Sequence, residues 1–438
     1  MVTPSNTSFL RGCAANLALC LTLAACGGGG GGGPGPVTGG TPGTGAWSSP
    51  VKLSADRDGS TLVETGVAVN GSGVAFGIWH IHVGDEIWAS RFDGTVWGTP
   101  TLMGTGTLPD VAVSAAGDAA VVWVAPDTGG DVVWARRYTS SGWAVAEKIG
   151  NVSNLMVDLH PKVVFADSST ILAVWRQNIL GPDPLVHIWT NRFTASNWTG
   201  AAQLETGTAD AGNPALASAG SGSAVAGWNQ GNAYIKRFSA GTWGSSPTQV
   251  NVTAGSTSGV SVATNATADL VVTWQQNTLL ARVYNAATPA GSSEAILDSN
   301  DPVNQINLEV ALDGNGNAFA LWHRMITTTI SNPVAFVSRY SAGSWGAPVM
   351  LGTTNTVGHD TPHVRVDGNN NAVAIWSQLA TMYSRTYQSG WQSAVPLGSG
   401  SGIAFDLAAT GQGMAVFNNS VFSGGLYSGA TYALRRTP

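Results

Sequence analysis

Six of the seven histidines fall either just past one recurring apolar pattern or in the segments that lead into the next unit, and these polar positions are the groups whose chemistry comes first. Just past seven of the eight copies stand His80 and His82, Arg176 and Gln177, Asn229 and Gln230, Gln275 and Gln276, His323 and Arg324, Ser377 and Gln378, and Asn418 and Asn419. The segments leading into the next unit add Asp110, Asp158, His160, Asn213, His359, Asp360 and His363. Imidazoles, amides, guanidinium groups and carboxylates in such a mixture suit a hydroxyl-rich or peptide ligand. The ligand-binding candidates are His80, Asp110, His160, Arg176, Asn229, Gln275, His323, Arg324, His359, Asp360 and His363.

Sharper chemistries find less support. His80-Ile81-His82 sets two imidazoles on one strand face, but no third ligand is within sequence reach, so no metal is expected. His359, Asp360 and His363 form a looser cluster of the same kind. The Asp-x-Asn-x-Asn runs at Asp313 and Asp367 imitate half a calcium loop. Arg324 and Gln378 stand where its closing Glu belongs, so both read as turns. There is no nucleophile elbow, phosphate loop or dinucleotide fingerprint, and no cofactor is implied.

Positioning such groups falls to an apolar run that occurs eight times, ending at Trp79, Trp123, Trp175, Trp228, Trp274, Trp322, Trp376 and Phe417. Each run has about five residues and is rich in β-branched types, which reads as a strand buried on both faces. Two residues before the ring the side chain is mostly small, as at Gly77, Ala173, Ala226 and Ala374. One and three before, it is mostly branched or large. One face therefore carries a ring beside a gap and the other carries aliphatics, and such faces can interlock between stacked sheets.

A shorter strand precedes each run across a polar Asn/Gly turn, as at Asn70-Gly71-Ser72-Gly73, where positive φ is needed. A third strand ends in Arg plus an apolar or aromatic residue, from Arg91-Phe92 to Arg339-Tyr340. Six residues after that Arg a second Trp opens the fourth strand, at Trp97, Trp143, Trp198, Trp243, Trp345 and Trp391. Arg and Trp flanking a turn at this spacing can pair with the guanidinium over the indole. Trp88, Trp134 and Trp189 stand three residues before the repeat Arg, where other units carry Tyr234, Leu279, Phe336 and Met382. A period of roughly 49 residues with four short strands predicts an all-β protein, a β-propeller. Eight four-stranded blades are expected, with the strand from Trp47 to Leu53 completing the last one. Seven is the alternative if the irregular unit from Arg282 to Leu297 makes no blade of its own.

The first 25 residues carry one positive charge, Arg11, and an apolar segment from Ala14 to Leu23, and read as a signal peptide. Residues Leu23-Ala24-Ala25-Cys26 resemble the lipobox of bacterial lipoproteins, which implies a lipid on Cys26. Gly27, standing where an Asp would retain the protein, resembles outer-membrane sorting in that family. Cys13 and Cys20 would leave with the signal peptide, so no disulfide is expected in the mature chain. Residues 26–46, with seven consecutive glycines, cannot bury apolar surface and form a tether with an r.m.s. reach of about 25 Å. The propeller is then 47–438. A net charge of −6 with 10% charged residues and no basic cluster argues against nucleic acid as a partner, so membrane attachment falls to the lipid.

The hairpin Ser90-Arg91-Phe92-Asp93-Gly94-Thr95-Val96-Trp97 resembles the Asp-box of sialidase-type propellers, with its Asp one place late. In address and ring size the chain is similar to the eight-bladed lipoprotein of the outer-membrane β-barrel assembly machinery. A sialidase-like hydrolase needs three Arg on one carboxylate, and only Arg57, Arg176, Arg324 and Arg365 are left over by the repeat. The expected function is a lipid-anchored, monomeric envelope module that binds a glycan or an envelope protein and performs no chemistry. The alternatives are an exo-acting glycoside hydrolase and a scaffold subunit of an outer-membrane complex.

Overall fold

The computed structural model describes residues 45–58, 62–152, 159–178, 185–194, 196–253, 255–299, 305–325, 333–353, 362–423 and 426–438. Cys26, His359 and Asp360 lie outside them. The strands form eight antiparallel sheets, and no helix occurs among the described residues. The innermost strands begin at Leu62, Thr107, Lys162, Ala215, Ser258, Gln305, His363 and Ser401, and each touches the next in an unbroken cycle. This is a β-propeller of eight blades, numbered here 1 to 8 in that order. The irregular unit does build a blade, from Ser258–Thr264, Leu270–Gln275, Leu279–Tyr284 and Ala295–Asp298, so the seven-bladed alternative falls.

The ends of the chain close the ring as their strand types predicted. Ala46 and Trp47 pair with Thr437 and Arg436, and Val51 and Lys52 pair with Ala433 and Tyr432. Trp47 Nε1 also donates to Ser384 Oγ of blade 7 at 3.0 Å. The first strand thus fastens the last blade to its neighbour.

Burial explains why the second strands are so regular. All seven of their tryptophans are at most 2% exposed. In blade 3, Ile171, Ala173 and Trp175 pack on Ala120, Val122 and Val124 of blade 2. In blade 2, Ala119, Val121 and Trp123 pack in the same way on Phe76 and Ile78 of blade 1. The ring-and-gap face of each blade therefore meets the aliphatic face of the blade before it, and close packing fixes the spacing of the sheets.

The Arg and Trp pairing differs from the expectation. Across the third hairpin the indole meets the aromatic residue after the Arg: the ring centroids of Phe92 and Trp97 are 5.4 Å apart, and those of Tyr138 and Trp143 are 5.3 Å apart. The repeat guanidinium instead reaches the next blade, Arg91 over Tyr138 at 5.6 Å, Arg137 over Phe193 at 3.7 Å and Arg435 over Phe92 at 5.4 Å. Alternation is the reason, because neighbouring residues face opposite sides of a strand, so Arg and its following ring cannot share a face. Arg282 and Arg385 pair with Val272 and Ala374, one step out of phase with the other repeat arginines. Their Nε atoms donate within the blade, to Ser292 O at 2.8 Å and Gln392 O at 2.7 Å. The same phase shift sets Leu280 opposite Trp274 and Tyr383 opposite Trp376.

Candidate functional site

Antiparallel connection puts the loops between second and third strands on the same rim as the loops entering the innermost strands. Those innermost strands have no further strand on their channel side, so backbone N–H groups there need other partners. Acidic side chains supply them. Asp110 accepts Val163 N at 2.8 Å, Glu309 accepts Val364 N at 2.7 Å, Asp406 accepts Val69 N at 2.9 Å and Glu64 accepts Leu108 N at 2.6 Å. Each bond joins one blade to the next. Asp110, a ligand candidate in the sequence, is held in this way and also has Lys162 Nζ at 3.5 Å.

Blades 6 to 8 extend the same device into an ion cluster. Glu309 contacts Arg365 Nη1 and lies 3.4 Å from His363 Nδ1, while Arg365 Nε reaches Asp406 Oδ1 at 3.3 Å. His363 Nε2 lies 2.8 Å from Ile403 O. Burial opposes ionisation of Glu309, but the Arg365 guanidinium and then His363 more than offset it and hold its carboxyl at about 2. Burial likewise opposes the charge on Arg365, and Glu309 and Asp406 reverse this, raising its pKa. His363 and Arg365 are therefore built into the blade contacts.

The side chains two residues past the buried Trp hold loops. Gln177 accepts Trp175 Nε1 at 2.6 Å and donates to Asn151 O at 2.5 Å. Gln230 donates to Ala209 O at 2.7 Å, Gln276 to Thr253 O at 2.9 Å and Gln378 to Thr353 Oγ1 at 2.6 Å. Arg324 takes the same place in blade 6. It pairs with Asp298 at 3.2 Å and lies over Phe336 at 3.9 Å, while Trp322 Nε1 donates to Asp298 at 2.9 Å. The calcium-like runs are turns, as read: Asp313 Oδ1 accepts the N–H of Asn315 and Asn317, and Asp367 Oδ1 those of Asn369 and Asn371. Asp93 caps its own hairpin too, and N–H bonds from Val96 and Thr95 hold its carboxyl at about 2.

Four candidates remain half-buried at the rim of three consecutive blades: His160 and Arg176 on blade 3, Asn229 on blade 4 and Gln275 on blade 5. Arg176 N donates to Leu159 O at 3.0 Å, which sets Arg176 beside the segment carrying His160, itself at φ 43°. Gly212 N donates to Asn229 O at 2.8 Å, and a Cβ on Gly212 would lie 2.1 Å from Asn229 Oδ1, so this glycine makes room for the amide. His323 is fully buried. His80 is 3% exposed and lies beside Asp85 in the turn that follows it, a neighbour the sequence reading missed. Also missed was His187, set apart from the other six histidines, whose buried ring lies 3.0 Å from Glu205.

No known protein-family profile matches the chain, and no curated protein is similar in sequence. Solved structures share the fold at low identity. An ulvan lyase of polysaccharide lyase family PL25 is 11% identical over 86% of this chain and 95% of its own, with a TM-score of 0.49. The Aleuria aurantia lectin with Fucα1-6GlcNAc is 14% identical over 78% and 97%, at 0.41. The Penicillium chrysogenum α-L-arabinanase with arabinobiose is 10% identical over 88% and 98%, at 0.39. Similar structures thus include both sugar-binding and sugar-cleaving proteins, and what they share with this chain is the fold.

Proposed function

We propose that the chain is a cell-envelope module, anchored to a membrane through a lipid on Cys26, that binds a hydroxyl-rich ligand at the channel rim without transforming it. The observation that carries this reading is the commitment of the acids that line the innermost strands. Asp110, Glu309 and Asp406 each accept a backbone amide of the next blade and lie against a cation, and Glu309 is held at about 2. General-acid work in glycosidic cleavage needs a carboxyl whose pKa is raised. His160, Arg176, Asn229 and Gln275 offer donors and acceptors of the kinds that orient sugar hydroxyls. An array of glycans and envelope proteins probed with the chain from Gly45 onward tests this. Retention of a glycan that is recovered intact supports it, release of a shortened glycan favours the hydrolase, and capture by an envelope protein alone favours the scaffold.

The anchor has its own test. In cells expressing the full chain, Cys26→Ala is expected to move the protein from the membrane fraction to the soluble one. An unchanged membrane fraction would remove lipid attachment from the proposal.

A further inference from the structure

We propose that His80, His82 and Asp85 form a divalent-cation site on blade 1, with zinc as the best-fitting ion. His80 and His82 leave the same face of the strand Ala75–Ile81 and its turn, and Asp85 returns to meet them before the strand Glu86–Phe92. One ligand atom from each lies within 4.8 Å of the others. Asp85 Oδ1 is 3.3 Å from His80 Nε2 and 3.7 Å from His82 Nδ1. Ligand atoms at 2.0–2.1 Å from a tetrahedral zinc stand roughly 3.4 Å apart, so both Asp85 distances already match within a few tenths of an ångström, and the imidazole nitrogens, within 4.8 Å of each other, close on the ion by side-chain rotation of the exposed His82. Two imidazoles and one carboxylate favour zinc and its transition-metal neighbours over magnesium or calcium, which take oxygen ligands.

Two further observations point to a ligand rather than to a surface hydrogen bond. His80 is buried, and its second nitrogen, Nδ1, makes no hydrogen bond and lies 3.7 Å from Glu64 Oε2. A metal on Nε2 fixes the proton on Nδ1 and points it at that carboxylate, the outer-shell arrangement common to metal-bound histidines. Asp85 is itself held, at φ 47°, with its N–H on His82 O at 3.2 Å and its carbonyl on Gly106 N at 2.6 Å. His82 and Asp85 are 63% and 54% exposed, so the fourth coordination position faces solvent. The site is independent of the rim on blades 3 to 5.

The test is a zinc titration by calorimetry on the untagged full chain at pH 7.5, with His82→Ala, Asp85→Ala and Glu64→Gln beside the wild type. The wild type is expected to bind one equivalent with a Kd of about 1 µM or tighter, undiminished by millimolar magnesium. His82→Ala, at an exposed position, is expected to keep the wild-type melting temperature without zinc, and both His82→Ala and Asp85→Ala to lose binding by at least about tenfold. Glu64→Gln is expected to weaken it by about 10–100-fold. All four proteins keep Cys13, Cys20 and Cys26. Equal zinc uptake by wild type, His82→Ala and Asp85→Ala would assign the metal to those thiols and overturn the proposal, as would a wild type that takes up none.

Discussion

Trp175→Ala is expected to cost about 3–5 kcal/mol in urea or thermal denaturation, the range for deleting a large buried ring. The indole is 0% exposed and fills the gap between blades 2 and 3. Its N–H also positions Gln177, which holds Asn151 at the start of the segment leading to His160. Trp175→Phe separates the two effects. It keeps much of the packing and leaves Gln177 Oε1 without its donor, and is expected to cost about 1–3 kcal/mol. It should also weaken any ligand held by His160 and Arg176 more than its stability loss accounts for. Equal stability of wild type and Trp175→Ala would contradict the interlocked packing described for the second strands.

A second large effect is expected in acid. Glu309 has a folded pKa of about 2 against an ordinary value of 4.5, a depressed pKa. Its stabilisation is therefore fully present above the unfolded value and is lost as pH falls from about 5 toward 2. The shift corresponds to about 3 kcal/mol at most. Glu309→Gln should be less stable than the wild type at pH 7, and the two should converge near pH 2. Chemical denaturation between pH 7 and pH 2 reads both. A constant gap across that range would mean that the ion cluster does not link blades 6, 7 and 8.

The ring was legible in the sequence because one strand type repeats, and its faces follow strand alternation, with Val121 the one larger residue at the small position in the blades compared. The closing strand was legible for the same reason, since Trp47 to Leu53 is a fourth strand with no third strand before it. Cross-blade partners were not, because spacing along one chain does not say whether Arg91 turns to Trp97 or to Tyr138. The candidate site was read only in part. The loops past the second strands share one rim, but a Gln that holds a loop and a Gln that faces a ligand look alike in sequence. Asp110 and Arg365 looked like open functional groups because the amides and acids they meet lie in other blades. Asp85 was within reach of His80 and His82 all along.

The most direct test of binding at the rim is the affinity of the best ligand from the array for three proteins starting at Gly45. These are the wild type, Arg176→Ala with Asn229→Ala, and Asn197→Ala, an exposed change in the hairpin between third and fourth strands at the opposite face. Losing two oriented polar contacts is expected to weaken binding by at least about tenfold in the double variant, with Asn197→Ala like the wild type. Wild-type affinity in the double variant, or an equal loss in Asn197→Ala, would contradict a ligand seated on the rim of blades 3 and 4.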